Sequence, residues 1–92
     1  MEWRIKFHKS ARKFTENLDE KRRRNLLERL ERLRTGLEEG VIPFRNLDLR
    51  RLKGVWEGFF RVRVGEIRVI FKIDVTERVI WIYNIHYRGK IY

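Results

Sequence analysis

Cysteine is absent from the 92-residue sequence, which excludes disulfides, thiol catalysis and thiolate zinc sites together. The two histidines, His8 and His86, are too few to argue for a metal site, and neither a metal nor another cofactor is expected. No window approaches the ~20 consecutive apolar residues of a membrane span, and the opening "MEWRIKFHKS" carries no apolar run. A cytoplasmic protein with no membrane partner is therefore expected. Phosphate-binding glycine loops and Ser/His/Asp patterns are also missing, and nothing points to a small-molecule substrate. Acids are scarce relative to bases: 13 Asp and Glu stand against 23 Lys and Arg, for a net charge of +10.

What is present suits one compact domain spanning residues 1–92. With 42% hydrophobic and 13% aromatic residues, the chain can offset the entropy of ordering. Charged residues make up 39%, against roughly 25% in an average domain. A thermophilic origin raises both signs of charge, so it does not account for the basic excess. The excess points to a polyanionic partner, most simply nucleic acid or ribosomal RNA.

"WRIKFH" alternates, with Trp3, Ile5 and Phe7 on one face, as a half-buried strand requires. Ser10 is placed to cap a short helix carrying Ala11, Phe14 and Leu18, and Asp19 to cap a longer one. On the longer helix Leu26, Leu30, Leu33 and Leu37 form one stripe, and Glu20–Arg24 and Glu28–Arg32 are favourable four-residue pairs. Gly36 and Gly40 mark its end, and Pro43 opens an irregular link. Three further strands follow in "FFRVRV", "IRVIFKI" and "VIWIYNIHY", the last apolar on both parities as far as Tyr83. The expected fold is α+β, in the order βααβββ: a helical hairpin on one face of a small, mostly antiparallel four-stranded sheet.

The stretch "FFRVRVGEIRVIF" fixes a register if Gly65 and Glu66 form a two-residue type II′ turn. Val64 then faces Ile67, Val62 faces Val69 and Phe60 faces Phe71, while Arg63 lies directly opposite Arg68 with Arg61 beside them. Like charges across two strands cost tenths of a kcal/mol up to about one. Stability alone would favour a glutamate at one of these sites. The functional reading is convergence of guanidiniums on phosphate, for which their planar, multi-donor heads are suited. The bland reading is a solvated face whose arginine stems cover apolar sheet, with Glu66 or Glu57 as partner. The tail "NIHYRGKIY" adds His86, Arg88, Lys90 and Tyr92, and Asn84, His86 and Arg88 share a parity that extends the basic face if the strand persists. Lys53 either points to the same cleft or caps its loop. The run Lys21–Asn25 reads as a secondary contact or a solvated helix face.

The strand order, the stretch "LKGVWEGFFRVRVGEIRVIF" and the ending "HYRGKIY" resemble the RelE/ParE superfamily of toxin–antitoxin toxins, above all its archaeal RelE members. The resemblance implies a RelE-like fold and a ribosome-dependent endoribonuclease, an mRNA interferase that cuts mRNA in the A site and blocks translation. It implies catalytic roles for Arg61, Arg63, Arg68, Arg88 and Tyr92; Lys53, His86 and Lys90 are expected from their own positions to bind substrate. The implied partners are a cognate RelB-like antitoxin, the ribosome and mRNA. Ile67 stands where many relatives carry an aromatic, and arginines replace the strand lysines of bacterial RelE, which favours charge stabilisation over proton transfer. His86 is an alternative acid or base. Two other functions remain open: ParE-like inhibition of DNA gyrase, and RNA binding without catalysis.

Overall fold

The computed structural model describes residues 2–43 and 45–89. Its elements are β1 (Arg4–Phe7), α1 (Lys9–Glu16), α2 (Glu20–Glu38), β2 (Leu49–Arg51), a 3-10 turn (Gly54–Trp56), β3 (Phe60–Val64), β4 (Ile67–Asp74) and β5 (Val79–Tyr87). One five-stranded sheet runs in the order β1-β5-β4-β3-β2. All pairs are antiparallel except β1 with β5, which lie parallel with Arg4 opposite Val79 and Phe7 opposite Ile82.

The fold class agrees with the expectation, but the sheet has five strands and not four. The added strand, β2, lies in the link after Pro43. Its three residues carry no alternation of their own; they become a strand because β3 offers an open edge, with Leu49 opposite Val62 and Arg50 opposite Arg61.

Both helices lie on one face. Leu26, Leu30, Leu33 and Leu37 of α2 are buried against Val62, Val64, Ile67, Val69 and Phe71 of the hairpin and Ile80, Ile82 and Ile85 of β5. Each such side chain contributes about 1.5–3 kcal/mol on leaving water. Asp19 caps α2 as expected, accepting a hydrogen bond from the Arg22 backbone N–H at 3.3 Å. At the other end Gly40 (φ +81°) adopts the left-handed conformation, its N–H bonding the Leu37 carbonyl and that of Val41 bonding Gly36. This double closure is the Schellman arrangement, which favours glycine. Gly36 therefore lies inside the last turn and does not end the helix. Ser10 is not the cap of α1: the extended residue is His8, so the helix begins one residue earlier than its candidate cap. The Glu20–Arg24 pair forms at 3.8 Å, whereas the better-engaged arginine is Arg34, which reaches Glu31 and, at 2.5 Å, Glu38.

Among the described residues, no helix is long and apolar enough to cross a membrane.

Candidate functional site

The β3–β4 hairpin has the register expected from its turn: Val64 pairs with Ile67, Arg63 with Arg68, Val62 with Val69, Arg61 with Ile70 and Phe60 with Phe71. Gly65 takes φ +62° while Glu66 stays on the negative side, as a type II′ turn requires. Even-numbered residues of β3 face the helices. Arg61 and Arg63 therefore project from the opposite, helix-free face, together with Arg68.

On β5 a single irregularity decides which residues join them. Phe71 pairs with Ile82, but Ile70 pairs with Asn84, so Tyr83 is an extra residue: a β-bulge. Before the bulge Ile80 and Ile82 face the core; after it the core position passes to Ile85, and Asn84 and His86 turn to the arginine face. A one-residue slip exchanges the two faces of a strand. His86 thus lies opposite Arg68, in the row Arg63–Arg68–His86. The tail is held nearby, because the Arg88 N–H donates to the Glu66 carbonyl at 2.7 Å, against the hairpin turn. The expected shared parity of Asn84 and His86 is present, and the strand persists to Tyr87.

Three of these polar groups are nearly withdrawn from water: Arg61, Arg68 and His86 are each 8–9% exposed. Arg68 folds back on the turn, donating from Nη1 to the carbonyls of Gly65 at 2.9 Å and Ile67 at 3.3 Å. Its pKa is lowered from the ordinary arginine value first by burial and then by the like charges of Arg63, Arg61 and Arg88. Those three guanidiniums come from β3 and from the tail after β5, so segments distant in sequence meet on one face. Arg61 Nε and Nη2 are buried and donate to none of the described residues, a cost of about 1–3 kcal/mol for a polar group left unsatisfied.

One carboxylate serves two of the arginines. Asp48 Oδ2 accepts from Arg63 Nε at 2.6 Å, and Oδ1 lies 3.7 Å from Arg61 Nη2. The bond to Arg63 and the charges of Arg63, Arg61 and Arg50 hold the Asp48 carboxyl below its ordinary pKa. Its left-handed backbone (φ +52°) is one that aspartate and asparagine tolerate better than most residues. Sequence reasoning considered Glu57 and Glu66 as partners and missed Asp48, because only the pairing of β2 with β3 carries it across to Arg63. Arg50, opposite Arg61 on the same face, was missed for the same reason.

Lys53 is placed differently. It precedes the 3-10 turn at the Phe59 end of β3, where the Leu52 N–H bonds the Phe59 carbonyl, whereas Arg63 and Arg68 flank the Gly65 end. Lys90 and Tyr92 lie outside the described residues.

Asp48 competes with any phosphate for Arg61 and Arg63. Asp48→Asn, which keeps the left-handed tolerance and removes the charge, is expected to raise affinity for single-stranded RNA. The slope of log K against log salt should steepen by about 0.7 for each additional phosphate neutralised. Because the folded-state pKa of Asp48 is depressed, its ionic contribution to stability is complete above the unfolded value of about 3.9 and disappears as pH falls through the folded value. The stability difference between wild type and Asp48→Asn should therefore close below about pH 4, as followed by acid titration of the two melting curves.

The ParE toxin family of type II toxin–antitoxin systems (parDE) matches residues 5–92. The chain belongs to this RelE/ParE toxin family. The candidate toxin RelE1 of Methanocaldococcus jannaschii is 32% identical over 92 residues, covering 100% of this chain and 97% of the relative. Among solved structures, the archaeal RelE of the RelE–RelB complex from Pyrococcus horikoshii is 29% identical, with a TM-score of 0.78 over 99% of this chain and 100% of that one. The isolated RelE toxin of Escherichia coli, at 15% identity, shares the fold, with a TM-score of 0.73 over 99% of this chain and 88% of that one. The RelE/ParE toxin is thus a helical hairpin on a mixed sheet whose helix-free face gathers arginines.

Proposed function

We propose that this toxin is a ribosome-dependent endoribonuclease that cuts mRNA bound in the A site. The observation that supports it most is Arg68, a nearly buried cation beside three other guanidiniums, with Asp48 the carboxylate bound to Arg61 and Arg63. Such an arrangement is unfavourable until an anion enters. In the proposed step the 2′-oxygen attacks the adjacent phosphorus, the 5′-oxygen leaves, and a 2′,3′-cyclic phosphate is left behind. Negative charge grows on the non-bridging oxygens, and preorganised guanidiniums stabilise it most where water is excluded. Arg61, Arg63, Arg68 and Arg88 take this role in the proposal. Arginine is a poor general base, its reference pKa exceeding about 12, so proton transfer falls to His86 or Tyr92 and much of the rate to alignment of the mRNA by the ribosome. Lys53 and Lys90 are assigned to flanking phosphates.

A RelB-like antitoxin is the proposed partner. The Pyrococcus horikoshii relative was solved as a RelE–RelB complex, and a protein of the same fold from Methanococcus jannaschii, 17% identical, as a RelB–RelE complex. Primer extension on translating ribosomes should reveal cuts within codons when the toxin is induced. Arg88 is exposed, so Arg88→Ala is expected to abolish growth arrest while leaving the melting temperature unchanged; a folded variant of full toxicity would remove Arg88 from the mechanism. The family model's ParE name favours a second reading, gyrase inhibition. A supercoiling assay responds to that activity and not to the first.

A further inference from the structure

The arginines occupy only half of the helix-free face. The other half, toward the β4–β5 turn, is aromatic. Trp56 and Phe59 meet edge to face at 5.3 Å, Phe59 and Tyr83 at 4.9 Å, Tyr83 stacks on His8 at 4.1 Å, and His8 lies 5.4 Å from Trp81. The rings form one unbroken shelf across β1, β5 and the segment entering β3. Two ammonium groups lie over it: Lys6 Nζ is 5.5 Å from the Trp81 ring centroid and Lys72 Nζ 5.4 Å from that of Phe59. Lys6 pairs with Trp81, and Trp81 with Lys72, so the shelf crosses the sheet as a row of cation, ring and cation. Beside the His8–Tyr83 stack is a shallow hollow of about 490 Å³ bordered by Lys9 and Lys13.

Aromatic rings on the outer face of a sheet ordinarily need covering. Trp56, Phe59, Trp81 and Tyr83 are half-buried, His8 is exposed, and no helix lies over them. Their cationic border is complementary to an anion, not to an apolar protein surface. The shelf is also continuous with the arginine half. Ile70, on the same face, is fully buried between the halves, and Arg68 and Lys72 lie four steps apart along β4, about 13 Å at roughly 3.3 Å per residue. A phosphate-binding cluster running into rings interleaved with lysines is the arrangement by which single-stranded nucleic acid is held without base pairing.

We propose that the shelf of Trp81, Tyr83 and Phe59 binds the bases of single-stranded RNA flanking the cleaved phosphodiester, the backbone passing from the arginine cluster over Lys72. The inference rests on the reading that this toxin's substrate is RNA. The bulge at Tyr83 serves both halves, since it turns His86 toward the arginines and presents its own ring to the shelf.

The test uses a 12-nucleotide 2′-O-methyl RNA, which cannot be cleaved through its 2′-oxygen, and fluorescence anisotropy at several salt concentrations. Trp81→Leu and Phe59→Leu keep apolar cover over the sheet while removing the stacking surface. Each is expected to weaken binding about tenfold with an unchanged salt slope, because a base contact and no phosphate contact is lost. Arg61→Gln should flatten the salt slope. Affinity for duplex RNA of equal length should not change in the leucine variants, since paired bases are not available to the shelf. Unchanged affinity of folded leucine variants for the 12-mer overturns the proposal, as does an equal loss with the duplex. Loss of antitoxin binding in place of RNA binding also overturns it. If Arg61→Gln and its neighbours leave RNA binding intact, it is the nuclease reading that fails.

Discussion

Arg68→Met is expected to leave the protein folded while cleavage of mRNA on programmed ribosomes falls by about 10²–10³-fold, the loss typical of removing one preorganised charge stabiliser. The two effects separate because Arg68 does little for stability. Its guanidinium is buried, repelled by Arg63, Arg61 and Arg88 more than it is attracted by Glu66, and bonded, among the described residues, to the Gly65 and Ile67 carbonyls. Methionine fills much the same volume without a buried charge. Two charge-assisted bonds of about 1.5–3 kcal/mol each are lost, offset by relief of a cross-strand repulsion of up to about 1 kcal/mol and of the several kcal/mol that desolvation of a cation costs. The melting temperature should stay within a few degrees of wild type, measured by circular dichroism beside single-turnover cleavage. A folded variant cutting at the wild-type rate would show that Arg68 is structural. Arg68→Lys should recover part of the activity but not all, since an ammonium is a point charge without the two-pronged donor geometry.

Insertion of one alanine between Tyr83 and Asn84 is expected to be the most damaging single change to the fold. The bulge absorbs one extra residue, so a second shifts the rest of β5 by one position, turning Asn84 and His86 toward the helices and Ile85 outward. Ile85 is 4% exposed and belongs to the core. Its exposure costs about 1.5–3 kcal/mol, and each polar group driven into the core without partners about 1–3 kcal/mol. A loss of about 4 kcal/mol is a large share of a stability that averages roughly 0.05–0.15 kcal/mol per residue. The melting temperature should fall by more than about 15 °C. Deletion of Tyr83 instead restores plain alternation, with Ile80, Ile82 and Ile85 still on the core face, and should melt much closer to wild type. Were the insertion to melt like the parent, the bulge would not be setting the register.

The same two places show what the sequence could and could not reveal. The Arg63–Arg68 pairing was legible because a glycine turn and strict alternation on both sides leave one register, and the α2 stripe because four leucines repeat at helical spacing. The bulge left a signal that plain alternation obscures: isoleucines at 80, 82 and 85 change phase once, and reading "VIWIYNIHY" as apolar on both parities hides it. β2 left none, since "LRR" becomes a strand only through an edge formed by residues nine to thirteen positions later. Asp48 was invisible for the same reason, and with it the restraint on Arg61 and Arg63. His86 was legible on the basic face through its parity with Asn84, whereas its pairing with Arg68 depends on the bulge.

The parallel pairing of β1 with β5 joins Arg4 to Val79 and Phe7 to Ile82, the widest sequence separation in the sheet. During synthesis, at about 5–20 residues per second, the first strand must wait with an unsatisfied edge until residues 79–82 have emerged. The hairpin arginines gain the His86 strand beside them at the same late moment. A nascent copy therefore keeps its arginine face incomplete until β5 has left the machine that the toxin is proposed to attack.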